Sequence, residues 1–321
     1  MTSLLENYFI LLLCQLGFLA LLFSPVLNAF GMDEYEIIEG KRIYGKSFYI
    51  KCNSQDTLLD IARSYDLGFN QIAAANPGID PWVPGSGQKI LVPKAVMLPD
   101  GDMQNALVLN MAEMRLYFFP ASSKGTRFVF TCPIGIGRSG YLTRPGLYTI
   151  YDKEQDPVWH VPESIRNEEP QLPKEVPPGQ DNPLGGFILR FSRLSYGIHG
   201  TNKPWGIGRR VSHGCIRLYP EDIRQLFPMV PVGTMVLVIY EPVRACYSEN
   251  KCWFQVFPDF EGTLPEALAT ALDKISEHCA GQDHHLDLDL KVIKKTLAEK
   301  RGVPVVVGVE KKPKKTISGQ H

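Results

Sequence analysis

Two short segments carry the residues with chemistry in them: His199-Gly200-Thr201, and Ser212-His213-Gly214-Cys215-Ile216-Arg217, which puts Cys215 sixteen positions after His199. Together they gather a thiol, two imidazoles and a guanidinium around glycines. A thiol attacks as its thiolate, and an ordinary cysteine with a pKa of about 8.5 needs a basic or cationic neighbour to reach that form near neutrality. His199, His213 and Arg217 can supply that neighbourhood. Gly214 leaves the backbone beside Cys215 unencumbered, so the amides of Gly214 and Cys215 can point together at a developing oxyanion. The chemistry expected is acyl transfer through a cysteine nucleophile. Which imidazole takes the proton stays open, because His213 is only two residues from the thiol; His199 is the favoured candidate. Two imidazoles and a thiolate are also a donor set for catalytic zinc, the competing enzyme reading of the same residues.

The elements that must position these groups are mostly strands. Apolar or alternating runs at Leu107-Val108-Leu109, Arg115–Phe119, Arg127–Cys132 and Leu147–Ile150 are separated by turn residues. Among them Gly135-Ile136-Gly137-Arg138-Ser139-Gly140 fits GxGxxG. A dinucleotide fingerprint requires a helix to open at its end, and Thr143-Arg144-Pro145-Gly146 forbids one, so these glycines are read as a loop between strands. Asp152 to Gly186 holds seven prolines, Pro157, Pro162, Pro170, Pro173, Pro177, Pro178 and Pro183. A connection of that length is either a lid, with Trp159 and Arg166 flanking a substrate, or a surface wrap packed by its own aromatics.

Upstream, Ser47 to Pro93 reads as a small β-α-α-β unit. Strand-like Phe48-Tyr49-Ile50 is followed by a helix capped by Asp56, a second helix ended by Asn76-Pro77, and strand-like Lys89–Pro93. Downstream of Glu241 come a hairpin, a helix over about Leu264–Cys279, a second over about Leu286–Lys300, and a basic tail at Lys311–Lys315. The tail is read as a solvated end able to touch anionic surfaces. His278, Cys279, His284 and His285 lack the spacing of a known metal site, and no metal or cofactor is expected.

The segments His199-Gly200 and Ser212-His213-Gly214-Cys215-Ile216-Arg217 resemble the L,D-transpeptidase signature, and the likeness extends over about Leu107 to Tyr240. The β-α-α-β unit, with its Asp-Thr-Leu, Ile-Ala and Asn-Pro landmarks, resembles a LysM domain. The resemblance implies a mainly β protein: a β-sandwich-like catalytic domain over 104–240, a LysM domain over 44–94 and a helical C-terminal extension over 241–321. It implies that Cys215 attacks the third-residue carbonyl of a peptidoglycan stem tetrapeptide, releases D-alanine and passes the acyl group to an amine. That amine is either a stem-peptide side chain, giving a 3-3 cross-link, or a lysine of an envelope lipoprotein. L,D-carboxypeptidase activity is an expected side reaction, and carbapenem-type β-lactams are expected to acylate the thiol. In that scheme His199 is the proton donor and acceptor, and His213, Gly214 and Cys215 frame the oxyanion hole. Ser212 fixes an imidazole, and Arg217 contacts substrate or the loop. Some family members carry a serine where this chain has Gly200, so what orients His199 is a question for the structure. LysM modules bind N-acetylglucosamine-containing glycans, here through Asp56, Thr57 and the Asn76-Pro77 segment. A wall-binding protein with an idle cysteine site is the alternative.

Composition and targeting bound the rest. The 321 residues suffice for two small domains at about 150 residues each. The 34 basic and 34 acidic residues cancel, leaving no electrostatic footprint for nucleic acid. Tyr8–Phe23 is an apolar run followed by Ser24-Pro25 and Ala29, which reads as a signal peptide over 1–29, cleaved after Ala29 and directing export to the periplasm; an uncleaved inner-membrane anchor is the alternative. Cys14 within it is not a lipid site. Of the six other cysteines, Cys246 and Cys252 are expected to bridge a hairpin, Cys215 to stay reduced, and Cys52 and Cys132 to be buried thiols.

Overall fold

The computed structural model describes residues 31–101, 103–122, 125–192, 196–263, 267–279 and 286–310. The leader, the 311–315 tail, His284 and His285 lie outside them. Among the described residues no helix is long and apolar enough to cross a membrane.

The protein is mostly β. Its main sheet has nine strands in the order Asp33–Glu36, Phe128–Pro133, Arg115–Phe119, Ala106–Asn110, Met235–Ile239, Gly146–Gln155, Phe187–Phe191, Gly197–His199 and Ile216–Arg217. Leu107 and Leu109 pack on one face and Val108, between them, on the other, in a different cluster. Both faces are therefore covered, which is why these strands read as continuous apolar runs rather than strict alternation. Strand Gly146–Gln155 serves two neighbours. Its first half pairs with Met235–Ile239 and its second with Phe187–Phe191, with a register shift between Ile150 and Asp152. A bulge bends a strand, and this one lies where Gly146–Gln155 passes from one neighbour to the other.

The upstream unit is the predicted β-α-α-β. Strands Phe48–Lys51 and Lys89–Val92 pair antiparallel and flank helices α1 (Leu58–Ser64) and α2 (Phe69–Ala75). Thr57, not Asp56, caps α1: its hydroxyl accepts from Asp60 N at 3.1 Å while the Asp60 carboxylate takes Thr57 N at 3.0 Å. The Asp56 carboxylate instead accepts from Asn53 N and Nδ2, closing the preceding turn. Asn76 is buried and ties α2 to the second strand, donating to the Ile72 and Leu91 carbonyls and accepting from Leu91 N at 2.7 Å. Thr57 and Asn76 thus hold the unit together through their side chains.

The unit is docked on the catalytic strands rather than strung beside them. Phe69 N and Asn70 N, at the start of α2, donate to the carbonyls of Ile207 and Gly208 at 3.1 Å. A Cβ on Gly208 would overlap Gly68 Cα. Tyr219 OH donates to Leu67 O at 3.0 Å, and Arg63 pairs with Glu221 at 3.0 Å and lies over the Tyr219 ring.

Between the catalytic strands run two further helices, α3 (Glu163–Glu168) and α4 (Pro220–Met229). Ile223 and Leu226 of α4 pack into the main core with Leu109, Ile198 and Ile216. The C-terminal unit is a four-stranded sheet of Val243–Ser248, Lys251–Val256, Val305–Glu310 and Leu286–Leu288, covered by α5 (Ala267–Cys279) and α6 (Leu290–Glu299). The segment before Cys246, Met235–Ile239, read from its apolar run as the strand that pairs with Cys252–Val256, belongs to the main sheet instead. Val243–Ser248 replaces it, and the turn residues Glu249 and Asn250 both have positive φ, as a two-residue type I′ turn requires. The second predicted helix begins late: Leu286–Leu288 is a strand, and Asp289 caps α6 by accepting from Lys291 N and Val292 N.

The disulfide is Cys252–Cys279, with Cα atoms 5.5 Å apart, not Cys246–Cys252. The hairpin register gives the reason. Cys246 pairs with Trp253 and Cys252 with Tyr247, so the two cysteines lie on opposite faces of the ribbon. Cys252 faces α5; Cys246 is a buried thiol packed with Ile43 and Met97. Closing a 27-residue separation constrains the unfolded chain by about 3–4 kcal/mol. Cys252→Ser, or reduction of the wild type, is expected to destabilise the C-terminal unit by roughly that amount in a denaturant melt, while Cys246→Ser removes the redox dependence of neither curve.

Candidate active site

Strand Gly197–His199 lies parallel to Ile216–Arg217, with Ile198 opposite Ile216 and His199 opposite Arg217. This pairing joins the two halves of the motif. His199 and Cys215 both line a cavity of about 400 Å³, together with Ser212, His213, Arg217, Tyr141, Trp159, Leu184 and Tyr196.

His199 is buried, and its Nδ1 donates to the Gly200 carbonyl at 2.6 Å. A backbone carbonyl therefore orients this ring, and no side chain after the histidine is needed for that purpose. With Nδ1 carrying the proton, Nε2 is the acceptor nitrogen of the neutral ring. Burial, then the nearby Arg217 charge, pulls its pKa down to about 4 against the smaller opposing effects of the Gly200 and Leu184 carbonyls. The ring is a neutral base at pH 7.

Cys215 is a half-buried thiol. Burial pushes its pKa up, only partly offset by a backbone hydrogen bond with Gly197 and by the charge of Arg217. Against the expectation that the cationic neighbourhood favours the thiolate, desolvation is the larger effect on Cys215 and favours the thiol. Arg217 is itself largely buried, and its Nε has no hydrogen-bond partner among the described residues.

Ser212 differs from expectation as well. Its Oγ donates to the Cys215 carbonyl at 2.6 Å and accepts from Gly214 N at 3.2 Å, so it fastens the nucleophile turn to itself rather than fixing an imidazole. The Gly214 amide is consequently engaged within the turn. Gly214 has φ +113°, and a Cβ there would strike the Tyr196 ring at 2.5 Å. Its carbonyl accepts from Thr143 Oγ1. Only glycine fits that position.

His213 faces elsewhere. Its Nε2 is 2.9 Å from Arg138 Nη2 and 3.2 Å from Glu168 Oε2, and its ring meets Tyr141 edge-on at 5.0 Å. A guanidinium against that nitrogen opposes a zinc ion there, and among the described residues no group of three or more His, Cys, Asp or Glu is placed to hold a metal. Cys279, the centre of the other metal candidate, is in the disulfide. The GxGxxG glycines serve packing: a Cβ on Gly137 would overlap the Tyr141 backbone, and Arg138 N donates to Ser212 O at 2.9 Å. The proline-rich segment lines the cavity on one side, through Trp159, Pro162 and Ile165. Arg166 does not reach the cavity; its Nε donates to the segment's own Val161 carbonyl. Glu168, Tyr141 and Tyr196 were not singled out by the sequence, and nothing in their local spacing marks them.

A thiol and a buried imidazole lining one cavity at the edge of a sheet, with an arginine and a glycine-bearing turn, are the residue types that cysteine acyl transfer uses. The profile of the YkuD L,D-transpeptidase catalytic domain matches residues 104–238, and that of the LysM domain residues 53–93. The chain is 38% identical over 283 residues to the probable L,D-transpeptidase YbiS of Escherichia coli strain K12, covering 83% of this chain and 89% of that one. It is 42% identical over 226 residues to the probable L,D-transpeptidase ErfK/SrfK of Salmonella typhimurium, covering 68% and 72%. The solved catalytic domain of the Enterococcus faecium L,D-transpeptidase is similar at 23% identity and TM-score 0.33 over 43% of this chain and 100% of that one. The protein belongs to the L,D-transpeptidase family.

The resting protonation state is testable without substrate. Alkylation of Cys215 by a neutral reagent is expected to keep accelerating above the ordinary thiol range of about 8.5, and Arg217→Gln to move the curve further up. A rate already at its plateau near neutrality overturns the thiol–imidazole assignment.

Proposed function

We propose that Cys215 is the nucleophile and His199 the general base of a peptidoglycan L,D-transpeptidase. The observation that carries this is the Gly200 carbonyl holding His199 in the tautomer whose Nε2 accepts a proton, inside the cavity that Cys215 lines. In the acylation step the Cys215 sulfur attacks the carbonyl of the third stem-peptide residue while its proton passes to His199 Nε2. The oxyanion is received by the amides of His213 and Cys215, since Gly214 N is committed to Ser212. Collapse breaks the peptide bond, and the imidazolium protonates the departing D-alanine amine. An incoming amine then attacks the thioester, gives its proton to His199, and releases Cys215, which takes the proton back. Because the resting groups are uncharged, charge develops only on the way to the tetrahedral state. Arg217 then stabilises the sulfur as it acquires negative character in the departing step.

The acceptor amine is a stem-peptide side chain or the lysine of an envelope lipoprotein, and water in its place gives L,D-carboxypeptidase activity. The Cys252–Cys279 disulfide supports an oxidising compartment, consistent with export by the leader to the periplasm. The LysM unit supports retention on glycan strands.

Purified protein incubated with tetrapeptide muropeptides, with and without a lipoprotein C-terminal peptide, is expected to release D-alanine and form dimers or the peptide conjugate by mass spectrometry. Cys215→Ala abolishes all products, and activity surviving in it sinks the assignment. His199→Gln is expected to lower kcat/KM by about 10²–10⁴, and His213→Gln by far less. With the His199 pKa at about 4, the base is deprotonated above that value, so kcat/KM is expected to stay level through neutral pH and to fall only as pH drops through about 4. A limb near the ordinary imidazole value of about 6.5 reassigns the base to another histidine.

A further inference from the structure

Asp156 to Gly186 leaves the sheet, crosses the cavity mouth and returns. Its base is stitched internally: Asp156 N donates to Gly186 O at 2.8 Å, and the buried Asn182 donates to the carbonyls of Pro157, Val176 and Pro177 and accepts from Leu184 N. Across the cavity, the contacts are different in kind. Glu168, at the end of α3, meets Arg138 Nη2 at 2.5 and 2.6 Å, accepts from Tyr141 OH at 2.9 Å and lies 3.2 Å from His213 Nε2. Among the described residues the segment's other hydrogen bonds to the rest of the protein lie at its root, Asn202 Nδ2 to Asp181 O and His199 to the Leu184 carbonyl. The far end is therefore held by one carboxylate.

The receiving side is part of the nucleophile loop. Arg138 N is bonded to Ser212 O, and Arg138 lies over the Tyr141 ring at 4.6 Å. His213 Nε2 can accept from Arg138 or donate to Glu168, but not both at once. The carboxylate bridges the two. Its three donors hold its pKa down to about 2, His213 first, so it is ionised throughout the range in which a cell envelope operates.

We propose that Glu168 is a positioning residue that latches this flap over Cys215, and that the latch decides whether the acyl-enzyme meets an amine or water. The second half rests on the reading of Cys215 as nucleophile; the first does not. The flap brings Trp159, Pro162 and Ile165 against the cavity, and an apolar wall that excludes water protects a thioester until an amine displaces it. With the carboxylate neutralised, the charge-assisted contacts to Arg138 that hold the flap end are lost.

The test uses the full protein and the Glu168→Gln, Glu168→Asp and Arg138→Gln variants. First, the rate of Cys215 alkylation by iodoacetamide is followed by peptide mass spectrometry. The buried Cys52, Cys132 and Cys246 report any general loosening in the same digest. Glu168→Gln is expected to speed Cys215 alkylation roughly threefold to tenfold, because a charge-assisted contact is stronger than a neutral one. Glu168→Asp should recover part of the protection, and the Arg138→Gln/Glu168→Gln double variant should be no faster than the faster single. Protection unchanged within about twofold, the scale of an exposed ion pair that contributes nothing, overturns the latch. Second, on muropeptides, Glu168→Gln should raise the ratio of tripeptide hydrolysis product to dimer by more than it alters D-alanine release. A faster-alkylated variant with an unchanged product ratio overturns the partition role. Because alkylation needs no turnover, its outcome is separable from failure of the transpeptidase reading itself.

Discussion

The parallel pairing of Gly197–His199 with Ile216–Arg217 is the constraint from which the site follows. Parallel strands need a crossover, and here it is residues 200–215, which contain the turn that carries Ser212, His213, Gly214 and Cys215, while His199 and Arg217 stand on the paired strands themselves. Pairing His199 with Arg217 fixes the imidazole relative to the guanidinium by backbone register. The side chains then have few rotamers left to choose. Gly200, the first residue of the crossover, lends its carbonyl to His199, and Gly214, near its end, brings the nucleophile turn against Tyr196. Slipping this pairing by one residue would turn His199 to the opposite face.

Electrostatics follow from burial rather than from the count of cations. The motif brings basic side chains to one cavity with Cys215, yet its thiol is pushed up and His199 is pushed down. An imidazolium facing a thiolate would have to be desolvated together in the same pocket, with the buried Arg217 adding a second positive charge against the ring. Keeping both groups neutral removes that cost from the resting state. In the proposed mechanism the arginine acts where negative charge appears on sulfur and is silent before. Such a centre is slow to react with adventitious electrophiles and depends on a bound substrate to bring the carbonyl to the thiol.

The strands, the β-α-α-β unit and the residues of the centre were readable because they are local: apolar runs, caps and turn residues mark elements, and a dense motif marks chemistry. What was missed is non-local or depends on register. Whether Cys246 or Cys252 faces α5 turns on one residue of hairpin offset, which only the Glu249-Asn250 turn decides. Ser212 was given the wrong partner because a hydroxyl two residues from an imidazole reads as its neighbour, whereas in this tight turn the nearer groups are backbone. Thr57 displaced Asp56 as cap by one position, within the usual ambiguity of a helix end. Glu168 could not be found at all, because its partners Arg138, Tyr141 and His213 are 27 to 45 residues away in the chain.

The seam with the LysM unit extends the same reasoning outward. The loop that joins His199 to Ser212 is not simply exposed: Ile207 and Gly208 receive the first amides of α2, and Gly208 N donates to Ile134 O on the other side. The close approach of Gly68 to Gly208 leaves no room for that loop to slide. Beyond Arg217, Tyr219 is held by Leu67 and Arg63, so both ends of the reactive segment are braced by one corner of the LysM unit. Asp66 of that corner is buried against Asp222 of α4, and burial raises both carboxyls, Asp66 to about 7. Two carboxylates in contact away from water share a proton more readily than they both ionise. The loop between His199 and Ser212 is thus shaped by a domain whose sequence reads only as a wall-binding module.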